Sequence, residues 1–391
     1  LKVLLIHDYC SLDGGAEAGT RTLQRGLKEI GIEARVFAAN TGTNEIADHL
    51  CFGTKGSFRT LLQTANPSAW LELRKLLREW KPDVVHVRMF LTQLSPLILP
   101  LLKEFPCLYH AVWYRAICPT GTKVLPGGRE CDKPAGLACL EHGCLPLWDW
   151  PVLMVQMRML AAWRSSFDAV VVNSNAVKAK LEEAGIAPVE VIWNGVPVGD
   201  EPVAMTTKPL AVFAGRLVKE KGVDVLLRAF AQVPEGRLIL AGSGPEEQNL
   251  KALAIELGVG NRVTFDGQLA PEALRRRFAG AWVQVIPSQW AEPFGIVAAE
   301  AMMRGAAVIA SHVGGLPEVV EHGETGILVP PANVDAWAQA LASTLGNRDQ
   351  CERMGAAGRE RALRLFSEAT WVAQFAKLYE NLRQKKRRDA V

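Results

Sequence analysis

Glu292-Pro-Phe-Gly-Ile-Val-Ala-Ala-Glu300 follows the apolar run Val283–Ile286 and is closed off by Gly305. The run reads as a strand, being short and β-branched. Pro293 and Gly295 then mark a turn and a helix start, since proline suits a first helical turn, and Gly305 marks the stop. Backbone N–H groups of Gly295, Ile296 and Val297 would have no partner inside such a helix. They would point out of its positive end, a ready site for a phosphate. Glu292 falls just before the helix and Glu300 about two turns in, where carboxylates can accept bonds from hydroxyls flanking the phosphates. Taken alone, the pair reads equally well as one capping and one solvated glutamate.

The same strand-then-helix grammar runs outward in both directions. Candidate strands are Val3–Ile6, Ala34–Phe37, Val84–Val87, Leu108–His110, Val170–Val172 and Val189–Ile192, then Ala211–Ala214, Leu238–Ala241, Val263–Phe265, Val283–Ile286, Ala307–Ile309 and Ile327–Val329. They lack strict alternation, as expected of strands covered on both faces. Helical patterns lie between them, such as Leu23, Leu27 and Ile30, or Val223, Leu226, Leu227 and Phe230. Continuous alternation argues for an α/β fold of parallel sheets flanked by helices. The chain of 391 residues suits two domains rather than one core. Gly195, Pro197, Gly199, Pro202 and Pro209 place the break at Asn194–Pro209. This gives a first domain over 1–196, interrupted by an irregular stretch at 115–147, a second over 208–366, and a terminal helix over 367–391.

A second motif, Phe213-Ala-Gly-Arg-Leu-Val-Lys-Glu-Lys-Gly222, puts Arg216 and Lys221 on a loop at the carboxyl end of a strand. Open α/β sheets bind ligands there. A planar guanidinium and an ammonium suit a diphosphate, although two solvated loop cations would look the same. Glycine turns Asp13-Gly-Gly15, Gly242-Ser-Gly244 and Gly314-Gly315 each follow a strand. Such turns let backbone approach a ligand but are common in any α/β protein. No complete dinucleotide or P-loop fingerprint occurs.

A net charge of +3, from 44 basic and 41 acidic side chains, gives no argument for nucleic acid. No apolar stretch is long enough to span a bilayer, and the first apolar run is too short for a signal segment. The expectation is a cytoplasmic protein. Basic Lys385–Arg388, and the mixed apolar–arginine stretches Leu71–Trp80 and Met154–Trp163, read either as solvated and core helices or as a face for the inner membrane surface.

Taken in order, F-A-G-R…E-K-G, A-G-S-G-P, E-P-F-G-I-V-A-A-E-A-M, V-G-G-L-P-E-V-V and G-E-T-G-I-L-V-P resemble glycosyltransferase family 4, the group 1 retaining transferases. N-S-N-A-V-K (173–178) and W-N-G-V (193–196) add weaker matches. The resemblance implies the GT-B fold: two Rossmann-like, doubly wound parallel-sheet domains facing a cleft, with the last helix crossing back to the first. It implies a nucleoside-diphosphate sugar held by Arg216, Lys221 and the amides of Gly295, Ile296 and Val297. Glu300 would take the ribose hydroxyls, Glu292 the transferred sugar, and the Gly14–Gly15 loop the phosphates or sugar. His110 matches a family histidine facing that sugar, but Ala111 follows where Asp is common. His86 is better read as a structural strand-end histidine.

Charge develops on the departing diphosphate as the anomeric bond breaks, and cations with helix amides can stabilise it. No D-x-D motif is present, so neither magnesium nor another cofactor is expected to be required. The implied acceptor is a saccharide or a lipid-linked one; base, sugar and linkage stay open. A non-catalytic nucleotide-sugar-binding subunit, or an epimerase or phosphorylase on the same fold, are the competing readings. Cys118, Cys131, Cys139 and Cys144 fall together around His142, leaving structural metal, free thiols and redox pairs all open.

Overall fold

The computed structural model describes residues 1–11, 14–199 and 201–389. Asp13 of the first glycine turn lies outside them. The chain forms two compact units, divided between Gly195 and Val196, with the segment from Glu368 returning to the first. The short stretch Gly127–Glu130 groups with the second unit.

The first unit holds strands β1 (Lys2–Tyr9), β2 (Glu33–Asn40), β3 (His49–Phe52), β4 (Val84–Val87), β5 (Cys107–Ala111), β6 (Ala169–Val172) and β7 (Val189–Val191). The second holds β8 (Leu210–Ala214), β9 (Arg237–Ala241), β10 (Val263–Gly267), β11 (Val283–Ile286), β12 (Ala307–Ser311) and β13 (Gly326–Val329). Spatial order is β3-β2-β1-β4-β5-β6-β7 in one sheet and β10-β9-β8-β11-β12-β13 in the other. Neighbouring strands run parallel, for example β1 with β4 and β8 with β11. Strand order reverses between β1 and β4, and again between β8 and β11, which makes each sheet doubly wound with its own switch point.

Burial explains the missing alternation. In the second sheet Phe213, Leu238, Leu240, Val283 and Val285 belong to one apolar cluster. Their strand neighbours Val212, Ile239 and Ala241 belong to another, with Phe278 and Ala281. Consecutive side chains face opposite sides of a strand, so both faces are covered and the strands are mostly apolar, with Gln284 a buried exception in β11.

The edge strand β3 was not legible in the sequence. Its four residues, His-Leu-Cys-Phe, carry no β-branched run and pair on one side only, with β2. Ile30 is the exposed cap of helix Gly15–Glu29 rather than part of its buried stripe. The apolar stretch after β4 contains a 3-10 helix, Pro96–Leu102, opened by one proline and carrying Pro100 inside. In the irregular 115–147 segment one short helix forms, Ala138–Glu141.

Helix Glu368–Asp389 is built into the core of the first unit. Trp371, Val372, Phe375, Leu378, Tyr379 and Leu382 recur at helical spacing and are all buried there with Leu23, Leu27 and Val84. Burying each such large side chain contributes about 1.5–3 kcal/mol. Close approach to helix Gly15–Glu29 requires Gly26, where an added Cβ would lie 2.5 Å from Val372 Cγ2. Arg25 and Glu368 pair at 2.6 Å across the same contact.

Phe375 also covers two histidine rings, His86 at 4.8 Å and His110 at 5.1 Å between centroids. Phe375→Ala should therefore destabilise the chain by about 3–5 kcal/mol, the usual cost of a phenyl-sized cavity. Urea unfolding of the two proteins measures it, and a loss under about 1 kcal/mol would contradict the packing described.

Candidate active site

At the switch point of the second sheet, the loops leaving β8, β11 and β12 are laced together through backbone. Gln289 N donates to Glu220 O (2.8 Å) and Gly315 N to Glu292 O (2.7 Å). The loop after β9 joins the one after β8 through Leu217 N to Ser243 O (2.9 Å). Such approach excludes side chains. A Cβ on Gly222 would lie 2.0 Å from Pro287 O, and one on Gly314 2.3 Å from Glu292 O. Both glycines also hold left-handed φ, +65° and +55°, which favours glycine over other residues.

This lacing brings two of the sequence candidates into direct contact. Lys221 Nζ donates to Glu292 Oε1 at 2.5 Å, with side-chain exposures of only 19% and 10%. Ser288 Oγ donates to the same carboxylate oxygen at 2.6 Å. The Lys221 ammonium also lies 5.5 Å from the Trp290 ring centroid, within cation–π range. Arg216, on the same loop, behaves differently. Its side chain is 72% exposed and, among the described residues, pairs with Glu220 at 3.7 Å. Exposed pairs of that kind contribute little, so the guanidinium can turn to a ligand at small cost.

Helix Ile296–Met303 starts three residues after Pro293, which is therefore not its first-turn proline. Gly295 is its cap, at φ 100°, a conformation no right-handed helix accommodates, so Pro293 stays in the preceding turn. A Cβ on Gly295 would lie 2.5 Å from Leu316 Cδ2. The first intrahelical bonds run from Ala298 and Ala299 to Gly295 O. The Ile296 and Val297 amides precede that ladder, at the positive end of the helix.

Glu300 lies on the same helix, one turn before Arg304. It keeps some contact with solvent, yet burial pushes its carboxyl above the ordinary carboxylate value, opposed by Arg304 and Arg275. Arg304 is itself engaged by the Gln284 side chain.

Gly15 opens helix Gly15–Glu29 after β1, with Gly14 as an extended cap. It lies at the switch point of the first sheet, between β1 and β4. His110 lies on β5 in the first unit and is fully buried. Its ring is 5.4 Å from that of His86, and neither of its nitrogens finds a hydrogen-bond partner among the described residues. Burial, then Arg88 and His86, hold its pKa well below the usual histidine value. The imidazole is therefore neutral. His86 shares a 2.6 Å hydrogen bond with the Tyr379 hydroxyl, and Arg88 stacks on Trp371 at 5.4 Å.

Sequence reasoning missed Ser288, Trp290 and Glu220. Only the position of Ser288, four residues before Glu292, offered a hint. Among the described residues no helix is long and apolar enough to cross a membrane.

Two doubly wound parallel units, one carrying a cation loop and a helix amino end at its switch point, define the class: a GT-B enzyme of sugar transfer. The comparisons agree. Residues 13–199 match Glycosyltransferase Family 4, and residues 200–361 match Glycosyl transferases group 1. A GDP-mannose-dependent alpha-(1-6)-phosphatidylinositol monomannoside mannosyltransferase of Mycobacterium tuberculosis is 38% identical over 298 residues, 70% of this chain and 76% of that one. A D-inositol 3-phosphate glycosyltransferase of Corynebacterium efficiens is 38% identical over 195 residues, covering 47% of this chain and 44% of its own length. The solved sucrose-phosphate synthase of Thermosynechococcus elongatus superposes with a TM-score of 0.76 at 26% identity, over 97% of this chain and 98% of its own. HepE of Anabaena, solved with UDP and glucose, shares the fold at TM-score 0.70 and 20% identity, over 97% of this chain and 100% of its own.

This chain belongs to glycosyltransferase family 4. It is a glycosyltransferase served by a nucleotide-sugar donor.

The raised carboxyl of Glu300 has a signed consequence. An acid whose folded pKa exceeds its unfolded one contributes stability while protonated, and loses it as pH rises through the folded value. At about pH 8 the ionised Glu300 therefore costs the ligand-free fold stability. Glu300→Gln should melt higher than the parent at that pH, with the difference shrinking toward acid. Thermal unfolding across pH tests this; a Tm difference independent of pH would rule it out.

Proposed function

We propose that the chain moves a sugar, with retention of anomeric configuration and without a divalent metal, from a nucleoside-diphosphate sugar to a lipid-linked or saccharide acceptor. The observation that carries the reading is the Lys221–Glu292–Ser288 cluster, fixed where the loops of β8 and β11 meet before the helix at Gly295. One oxygen of Glu292 is occupied by Lys221 and Ser288, which orients the carboxylate to receive hydroxyls of the transferred sugar. Lys221, Arg216 and the Ile296 and Val297 amides supply positive charge for the diphosphate. Glu300 receives the ribose hydroxyls. The Gly14–Gly15 turn serves the phosphates or sugar, and His110, if it reaches the sugar, acts as a neutral imidazole and not as an acid.

In this reading the anomeric carbon–oxygen bond to the diphosphate breaks. The acceptor oxygen bonds to the same face, and the acceptor proton passes to the leaving phosphate oxygen. Cations and amides placed where negative charge grows lower that barrier. No protein nucleophile is needed. GDP-mannose, the donor named for the mycobacterial relative, is the first to test, with UDP-glucose second.

Lys221→Ala should lower kcat by about 10²–10³, the loss typical of one electrostatic stabiliser. Arg216→Ala should depress turnover too. Glu300→Ala should raise donor KM by about 10–100-fold, the cost of hydrogen bonds to a charged group. Steady-state kinetics with donor and product analysis are the measurement. Unchanged constants in all three variants would defeat the assignment. Donor binding without transfer would favour the non-catalytic subunit, and phosphate dependence or an isomerised donor the phosphorylase or epimerase.

A lipid-linked acceptor is supported by large apolar side chains left in water on the first unit. Leu137, Leu147 and Trp148 are 63%, 68% and 76% exposed, beside a helix bearing exposed Arg158. Lys385, Arg387 and Arg388 are exposed as well, while Lys386 pairs with Asp168 at 3.2 Å. We expect peripheral binding to the inner membrane face through these groups. Sedimentation with anionic vesicles should fall several-fold in a Leu147→Ser, Trp148→Ser variant; equal recovery would leave the surface without that role.

A further inference from the structure

The eight cysteines divide into two groups. Cys10, Cys51, Cys107 and Cys351 are buried on or beside the strands and helices of the two units and behave as small apolar residues. Cys118, Cys131, Cys139 and Cys144 come from four places along the irregular 115–147 segment. All four line one small cavity, of about 20 Å³, with Lys123 and Lys133. Cys118 is buried and the other three are half-buried, and all four are free thiols.

Local backbone delivers each sulfur. Cys118 N donates to Tyr114 O at 2.8 Å, and Cys131 N to Lys123 O at 2.7 Å. Cys139 lies on helix Ala138–Glu141, its N donating to Gly136 O at 3.1 Å. The chain then turns at Gly143, and Leu145 N returns to Cys139 O at 3.1 Å, which sets Cys144 next to Cys139. Four residues separate that pair, a spacing structural zinc sites use.

We propose that these four sulfurs form a binding site for one thiophilic divalent metal ion of the zinc type. The cavity has room for one water-sized sphere and so for one ion. Charge selects a divalent cation on thiolates. Four deprotonated sulfurs and a 2+ ion leave two negative charges, and two lysines share the cavity wall. Binding releases the four thiol protons to solvent. Among the described residues no group of three or more His, Cys, Asp or Glu side chains is placed to hold a metal ion as it stands. Binding must therefore draw the sulfurs inward to about 2.3 Å from the ion. A segment with a single four-residue helix can yield in this way.

The site would be structural. Ile117, Lys123, Cys131, Pro134 and Ala135 wall this cavity on one side and a large neighbouring one, of about 1320 Å³, on the other. The metal would brace that shared wall of the larger cavity, which Arg158 and Asp168 also line.

The full chain, purified without oxygen from zinc-supplemented cells, should carry about one equivalent of zinc by elemental analysis, as four thiolates saturate a tetrahedral ion. Cys131→Ser and Cys144→Ser should each lower the retained metal at least several-fold. Because those variants could fail to fold, the unaltered chain should also be exchanged with cobalt. Intense sulfur-to-cobalt charge-transfer absorption is the expected signature of thiolate ligation. Less than about a tenth of an equivalent of metal, cobalt spectra without sulfur bands, or mass spectrometry showing the four cysteines joined as disulfides would each overturn the proposal.

Discussion

Backbone contact between loops at the carboxyl ends of β8, β11 and β12 is the constraint on which the meeting of Lys221 and Glu292 depends. Gln289 bonds to Glu220, Gly222 sits against the Pro287 carbonyl, and Gly314 against that of Glu292. The first two contacts fix the distance between chain segments that sequence separates by about seventy residues, and the third ties the loop after β11 to the one after β12. With those distances fixed, the Lys221 ammonium and the Glu292 carboxylate have little choice but to meet. A buried or half-buried ion pair is weak evidence of stability, because desolvation offsets much of its attraction. Its value in the proposed reading is orientation: the lysine and glutamate would be held before a donor arrives, which spares the ordering cost of binding.

The second organising element is the final helix. Its apolar stripe completes the first unit's core, so that unit is discontinuous in sequence and closes only when residues from both ends of the chain pack together. Under the helix lies a polar layer, His7, His86, His110 and Arg88, all buried. Burial and the nearby guanidinium hold the three imidazoles neutral; His7 is pushed down to about 3. A single buried cation flanked by neutral rings avoids the larger cost of several charges in a low-dielectric core.

Stability and function pull apart at Glu300. Its helix is apolar on nearly every side, with Ala298, Ala299, Ala301, Met302 and Met303 buried. A carboxylate set in that surrounding is disfavoured by burial, with Arg304 and Arg275 offsetting part of the cost, and in the proposed reading the hydroxyls of a ligand would offset more. Groups whose ionised form the fold disfavours recur at binding sites for this reason.

Much of the architecture was legible along the chain. Every strand but β3 was visible as a short run, most of them β-branched and apolar, because parallel strands are covered on both faces, and the break near Gly195 was visible as proline and glycine without periodicity. The glycine turns, Arg216, Lys221, Glu292 and the helix before Glu300 were readable from local chemistry. The sequence by itself therefore determined which residues could stand at the ends of which strands, since turn conformation and burial pattern are local properties. Strand order, the convergence of Lys221, Glu292 and Ser288, the burial of His110 beneath Phe375, and the gathering of four cysteines round one cavity were decided only by tertiary structure. Those are distances between segments far apart in the chain, set by packing and backbone contact that no local spacing encodes.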